Sequence, residues 1–345
     1  MGYADQYYLY ECLRSVAEPS DAQASADTAD ASRDLTAELV KLVQAMQEIK
    51  AEEDSRVNSY EIFVNQKQTH IRNSRGVDVT FSGFDCEIEV VTNSRKDDHE
   101  IEIYKDLRFS DKSAEKIIAE VRGMFHTGRQ RLNAVPTRQN EHADVLLTGN
   151  AVGSFFQYFA MHTNASYQYM GVAKAKIGEA ITGADADPLN IRLVPTLDGS
   201  AKNAPYDETG MPVAERVLFE NGICRSYWGS LQHAHYIGMK DTTSMNNMVV
   251  EGGSKTLDEL RSMPHIEITD FSAFDMDAVS GTCGGEIRLA YESDGTTSHP
   301  TTSGSLSARY DDVLKNLTFS KETQQLNNRV VPCAVLLRDV TVAGE

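Results

Sequence analysis

The chain has 345 residues, with 33 basic side chains against 51 acidic ones and a formal charge of −18 at pH 7. A nucleic-acid duplex presents one negative charge per ~1.7 Å and is met with a basic face, so this balance, without any Lys/Arg run, excludes nucleic acid as an expected partner. Hydrophobic residues at 41% and charged ones at 24% are ordinary globular usage, and the length suggests two domains plus an N-terminal element.

No stretch reaches the ~18 consecutive apolar residues that a membrane span needs. The opening MGYADQYYLYE has neither the basic nor the apolar region of an export signal. Five cysteines, Cys12, Cys86, Cys224, Cys283 and Cys333, stand singly with no CxxC, which fits reduced thiols rather than a disulfide frame or a four-cysteine zinc site. A soluble, cytoplasmic protein without membrane contact is expected, so the sequons at Asn164 and Asn316 carry no glycan.

Behind Tyr7, Tyr8 and Tyr10, residues 17–34 (AEPSDAQASADTADASRD) hold too few large apolar side chains to offset ordering entropy, and an acidic linker is expected there. Leu35, Leu39, Leu42, Val43, Met46 and Ile49 then make one stripe of an amphipathic helix, with Ser32 or Asp34 as its cap. Residues 1–57 are thus a linker and a helix. From Tyr60 the period falls to two: YEIFV, QTHIR, VDVTF, CEIEVV and EIEIY alternate between NSRG, SGFD and NSRKDD, which predicts a meander of short antiparallel strands with one wet face. Ser110 or Ser113 starts a second helix with Ile117, Ile118, Val121, Met124 and Phe125 buried. Pro136 and its polar neighbours in NAVPTRQNEH mark a boundary near 133–143, separating an α+β domain over 58–140 from a second domain over 141–345.

The second domain opens with a strand, DVLLT, that runs into GNAVGSFFQYFAMH, where Val152, Phe155, Phe156 and Phe159 predict a buried helix. Strand-like runs follow in NIRLVPTLDG, ERVLFENGICRSYWG, MVVEGG, HIEITDF, GEIRLAYESDG, NLTFS and AVLLRDVTVAGE, with Asn221-Gly222 as a type I′ hairpin turn. Helices are expected at QHAHYIG, TLDELRS and SARYDDVLKN. No repeat of 20–50 residues is present, so a solenoid is excluded. The fold class is α+β: an N-terminal antiparallel sheet with helices, followed by a β-rich C-terminal domain.

His299-Pro300, in TTSHPTTSGS, reads as a solvated loop histidine. Gly-x-Ser-x-Gly is absent. Gly281-Thr-Cys-Gly-Gly285 lacks the P-loop lysine and leads into a strand, so it reads as a bulged turn rather than a phosphate cradle or a reactive thiol at Cys283. Unpaired strand edges could take an extended peptide by strand addition, or a partner chain.

Tyr206-Asp-Glu-Thr-Gly-Met-Pro212 and the following ERVLFENGICRSYWGSLQHAHYIGM, then SMNNMVVEGGSKTLDEL, DMDAVSGTCGGEIRLAYESDG and VLLRDVTVAGE, resemble in order the TldD/PmbA family of cytosolic peptidase-like proteins. An older label of that family is modulator of DNA gyrase. NSRGVDVTFSGFDCEIEVV fits its N-terminal domain, and the resemblance spans about residues 58–345. It also makes His233-Ala-His235 helical, where residues two apart diverge by ~200° and cannot share a metal.

In the catalytic branch, the resemblance implies, the helix after the DVLLT-like strand carries His-Glu-x-x-x-His, whose histidines hold zinc and whose Glu is the general base. Here Gly149, Asn150 and Ser154 stand at those positions. Glycine offers no ligand atom, an amide takes no proton at neutral pH, and a hydroxyl is a poor zinc ligand beside imidazole. A third ligand of that branch is a Cys near the C-terminus; counting back from VTVAGE puts it at or beside Pro332, with Cys333 one residue out of register and so on the opposite strand face.

The resemblance therefore implies a non-catalytic TldE/PmbA-like subunit with no cofactor of its own, partnered by a zinc-bearing TldD-like subunit and acting on unfolded or leader peptides. Asp207, Gly210, Asn247, Gly281 and Gly285 are its candidates for peptide or subunit contact. An independent hydrolase using His233, His235 or Cys283, and a homodimeric peptide-binding protein, are the alternatives. The family's N-terminal domain is usually larger, and the Ala/Asp-rich stretch stands where more structure would be expected.

Overall fold

The computed structural model describes residues 25–26, 33–74 and 76–345. Tyr7, Tyr8, Tyr10, Cys12 and most of the expected acidic linker lie outside the described residues. Strand β1 (Ser25–Ala26) pairs in parallel with Thr80 and Phe81. Helix α1 (Leu35–Gln47) starts at Asp34, whose Oδ1 accepts the Thr36 and Ala37 N–H groups at 2.9 and 3.1 Å and so satisfies two of the orphan donors of the first turn. Its stripe is buried only in the second half: Leu42, Ala45 and Met46 are covered, whereas Leu35 and Leu39 remain 36% and 40% exposed.

Three long strands stand where five short ones were expected: β2 (Ser55–Arg72), β3 (Asp78–Lys96) and β4 (His99–Phe109). SGFD does not turn. Gly83 sits opposite Lys67 in an unbroken ladder, and the two-residue alternation carries through it to the buried Phe84, Cys86, Ile88 and Val90. The real reversals are at Asn73–Val77 and at Asp97, with φ 54°. Helix α2 (Ala114–Leu132), capped by Ser113, lies on this sheet. Its Ile117, Val121, Met124 and Phe125 join the strand residues with Leu42 and Met46 of α1 and Ile49 just beyond it in one core, so the helix of the first 57 residues packs with the following sheet. The other face is the wet one, carrying Glu61, Glu87, Glu89 and Arg108.

The second half contains, in order, β5 (Val135–Pro136), β6 (Asn140–Thr148), α3 (Asn150–His162), α4 (Ala165–Met170), β7 (Ile191–Val194), β8 (Arg216–Glu220), β9 (Ile223–Cys224), α5 (Leu231–Tyr236), β10 (Asn247–Val250), α6 (Leu257–Arg261), β11 (His265–Asp277), β12 (Thr282–Ser293), β13 (Ser298–Thr302), β14 (Ser305–Arg309), α7 (Tyr310–Val313), β15 (Thr318–Phe319), β16 (Thr323–Leu326), β17 (Arg329–Pro332) and β18 (Ala334–Ala343). Strands β6, β18, β14, β12 and β11 close into a ring, because β11 pairs with both β6 and β12. A second sheet runs β16-β17-β10-β7-β8-β9. Helix α3 packs on β11, β6 and β17, and its aromatic residues share one core with both sheets.

Asn221 and Gly222 have φ 51° and 77°, as a type I′ turn requires. Two segments differ from expectation. Ser307–Arg309, read as helix, is the end of β14, because Leu306 and Ala308 alternate into the core while paired with β12; only Tyr310–Val313 turns helical. His299 lies in a strand, paired with Glu292 of β12, rather than in a loop. No helix among the described residues is long and apolar enough to cross a membrane.

Candidate functional site

Strand β6 ends at Thr148, whose hydroxyl donates to the Ile268 carbonyl at 3.2 Å, and the chain turns at Gly149 into α3. Gly149 has φ 66° and ψ −147°, and a Cβ there would lie 2.9 Å from the Thr269 carbonyl oxygen. That backbone conformation is open in practice only to glycine, and the space beside it is filled by a backbone atom that cannot swing away. Asn150 is exposed at the helix start, and Ser154 is half-buried one turn on.

A residue from the far sheet reaches this helix. Arg329, at the start of β17, donates from Nη1 to the Gly153 carbonyl at 3.2 Å and from Nη2 to Gln157 Oε1 at 2.8 Å. Gly153 leaves the approach uncrowded: a Cβ would stand 3.2 Å from Leu326 Cδ1, which would have to give slightly, and in ordinary contact with Arg329 Nη1 at 3.7 Å. The opposite side of α3 is held by rings. Tyr158 stacks on Tyr310 at 3.7 Å and 5°, and the Tyr310 hydroxyl donates to the Phe155 carbonyl at 2.9 Å.

At the helix end His162 is fully buried. Its Nδ1 accepts the Lys174 N–H at 3.0 Å, which puts the ring proton on Nε2, an atom with no hydrogen-bond partner in the structure. Burial first, and then the Lys174 charge, hold its pKa down at about 4.

These residues do not fit a zinc ion. Gly149 supplies no ligand and leaves no room for one, Asn150 and Ser154 add only an amide and a hydroxyl, and a guanidinium already lies along the next turn. Among the described residues no three His, Cys, Asp or Glu are grouped to hold a metal. Pro332 closes β17 opposite Thr323, and Cys333 follows it, half-buried, donating its N–H to the Glu322 carbonyl at 2.8 Å; burial raises its thiol pKa.

The other candidates each shape the backbone. Asp207 Oδ1 accepts the Thr209 N–H at 2.8 Å, the Thr209 hydroxyl at 2.7 Å and the Met211 N–H at 3.0 Å, closing the turn read from the sequence. Gly210, with φ 82°, presses that turn on the end of the β2–β3 hairpin, where a Cβ would be 2.5 Å from Val77 Cγ1. Asn247 is buried and saturated: Nδ2 donates to the Val194 and Pro195 carbonyls and to Asn203 Oδ1, while Oδ1 accepts the Ser200 hydroxyl at 2.5 Å. Gly281, with φ 70°, closes the reversal into β12 with its N–H on the Asp277 carbonyl. Gly285 is inside β12, not in a turn, and a Cβ there would be 2.0 Å from the Ala273 carbonyl oxygen.

Cys283 is buried in the same strand, and burial pushes its thiol up to about 12, so no thiolate forms at neutral pH. His233 and His235 lie two apart on α5, with His233 Nδ1 paired to Ser230 Oγ at 2.9 Å. The sequence reading missed Arg329 and Gln157. The available signal was Gly153, a glycine inside a helical run, which marks a close approach by another element.

Residues 140–344 match the family described as the PmbA/TldA metallopeptidase C-terminal domain. No curated protein matches the chain. Solved structures that match include TldE from Thermococcus kodakarensis, at 18% identity and TM-score 0.70 over 90% of this chain and 74% of that one. A protein described as a modulator of a DNA gyrase from Thermotoga maritima matches at 18% identity and TM-score 0.72, over 90% and 75% of the two chains. One described in the same way from Bacteroides thetaiotaomicron matches at 15% and 0.69, over 92% and 74%. At such identities the structures speak for the fold, and the family match covers more than half of the sequence: this chain belongs to the TldD/PmbA family.

Proposed function

We propose that this chain is a non-catalytic, TldE/PmbA-like subunit of a hetero-oligomeric zinc metallopeptidase that acts on unfolded or leader peptides in the cytoplasm. The observation that carries the reading is Gly149, whose backbone conformation and 2.9 Å approach to the Thr269 carbonyl exclude a ligating side chain at the first motif position. Zinc then belongs to a TldD-like partner. Under this proposal residues 141–345 are the peptidase-like half, 58–140 an α+β domain, and 1–57 an acidic linker and the amphipathic helix that packs on that domain.

In this reading the chain's own contribution is to bind and shape. Strand β2 is 18 residues long and pairs among the described residues with β3 alone, so it stands at the sheet edge where an extended peptide could add as a further strand. Main-chain hydrogen bonding of this kind tolerates many sequences, as a protein handling unfolded chains requires. An independent hydrolase built on Cys283 finds no support in a buried, protonated thiol.

The test is metal content per protomer and cleavage of an unstructured peptide, measured on the purified chain and after mixing with a zinc-bearing homologue from the same cell. The expected result is no metal and no cleavage alone, and a stable one-to-one complex with one zinc and chelator-sensitive cleavage. Stoichiometric zinc with cleavage by the isolated chain would overturn the proposal.

A further inference from the structure

Among the described residues, Arg329 is a charge without a counter-charge. Its two hydrogen bonds go to neutral acceptors, the Gly153 carbonyl and the Gln157 amide oxygen. Burial lowers its pKa, and no carboxylate among the described residues acts to raise it. Other partly buried arginines are compensated: Arg261 grips Glu267 through two bonds, Arg216 reaches Asp241 at 2.9 Å, and Arg131 faces Asp270 at 3.9 Å. A guanidinium drawn out of water without a partner carries a desolvation penalty that two neutral acceptors only partly offset. A neutral side chain at 329 would tie β17 to α3 without that penalty.

The guanidinium has five N–H donors in a planar fork, of which Gly153 and Gln157 engage two. The surroundings are reachable from solvent: Gln157, Ser154 and Arg329 itself are half-buried, and Asn150 at the helix start is exposed. A fork with three donors to spare matches the two oxygens of a carboxylate. One uncompensated positive charge balances one carboxylate, whereas a phosphate dianion would leave excess negative charge in a protein already at −18.

We infer that Arg329, presented on α3 by Gly153 and Gln157, is an anchor for the carboxylate of a bound peptide. The inference takes from the proposed function only that the ligand is a peptide. It concerns the isolated chain, so it can fail while the zinc-bearing complex forms, and can hold while that complex does not.

The experiment follows the Arg329 Nε–Hε resonance of the full chain during titration with an unstructured hexapeptide bearing a free C-terminal carboxylate. The same hexapeptide as its C-terminal amide, an amidated version with one internal Glu, and inorganic phosphate are the comparison probes. The expected result is that the free acid, or the internal Glu if a side chain is the source, binds at least tenfold more tightly than the neutral amide. That preference disappears in Arg329→Met and is weakened in Arg329→Lys, which keeps the charge but not the fork. Arg329→Met should also melt no lower than the parent, since it removes an unpaired charge while filling the same space. Equal binding of acid and amide, tighter binding of phosphate, or no binding of any probe would overturn the inference. So would an Arg329→Met protein that melts several degrees lower or fails to fold while Arg329→Lys restores stability, because the arginine would then be a structural clamp.

Discussion

Lowering the pH should remove stability through one buried histidine. His162 has no exposed surface, its Nδ1 accepts the Lys174 N–H at 3.0 Å, and its Nε2–H has the Ala278 backbone near it but no well-formed hydrogen bond among the described residues. A second proton on the ring would break the Lys174 bond and place a charge in the core beside Tyr158, whose ring lies 4.2 Å away. The groups facing it oppose one another: the Lys174 charge disfavours protonation, and Asp311 and the Ala278 backbone favour it, yet burial dominates and holds the pKa at about 4 against 6.5 in the unfolded chain.

The unfolded state therefore takes up a proton that the folded state refuses. The contribution is fully present above pH 6.5, declines as pH falls from there, and levels off below about 4, where both states are protonated. A difference of two to three pKa units amounts to about 3 kcal/mol lost between pH 7.5 and pH 4. Urea unfolding of the parent and of His162→Asn, whose amide oxygen can still accept from Lys174, separates this from the titration of carboxylates common to both proteins. The stability gap between the two should shrink by about 3 kcal/mol over that range. A gap that stays constant with pH would refute the reasoning.

Gly149→Ala should cost about 1–3 kcal/mol in urea unfolding, from its backbone conformation and the Thr269 contact; an unchanged midpoint would mean that the turn relaxes freely. Asn247→Ala should cost about 2–4 kcal/mol, because it strands the Ser200 hydroxyl and two carbonyls away from water, and calorimetry reads the loss directly. Arg261→Met should cost about 1–3 kcal/mol, because Glu267 loses its two-bond partner while His265 and solvent at the half-exposed arginine soften the loss, whereas the double change with Glu267→Gln should recover much of it. Cys86, Cys224 and Cys283, with thiols pushed up to about 12, 11 and 12, should react with an aromatic disulfide at pH 8 only at the rate of unfolding, and of the four described cysteines the half-buried Cys333 should react first.

The elements were legible wherever one local signal decided them. Asp34 and Ser113 cap helices as their side chains predict, and Asn221-Gly222 folds the hairpin that its left-handed tolerance favours. Misreadings arose where a tertiary partner outweighed a local signal. Gly83 and Asp85 suggest a turn until β2 pairs with them on one side, and the Ser-Ala-Arg of β14 suggests a helix start until β12 captures it. The resemblance located α3, but it could not show the conformation of Gly149, which depends on a carbonyl 120 residues further along the chain. Arg329 was invisible for the same reason: nothing in RVVP indicates that its first side chain crosses to another layer.

The candidates taken from the resemblance divide along a physical line. Asp207 and Gly210 fold a turn onto Val77, Asn247 saturates a buried corner, Gly281 takes the left-handed conformation of the reversal into β12, and Gly285 admits the Ala273 backbone. Their side chains, or lack of them, are spent on architecture, so changing any one alters the scaffold before it alters recognition. Under the proposed function, a peptide or partner would also draw on groups the fold has left unspent. Among the described residues those include the edge position of β2, the exposed start of α3 and the three remaining N–H groups of Arg329. In a metallopeptidase, metal charge would polarise a peptide carbonyl at this helix; here the nearby positive charge is organic, fixed in place by two hydrogen bonds and unable to activate water. Such a charge can hold a chain and orient it, which is all that the proposed function, with zinc on a partner subunit, asks of this helix.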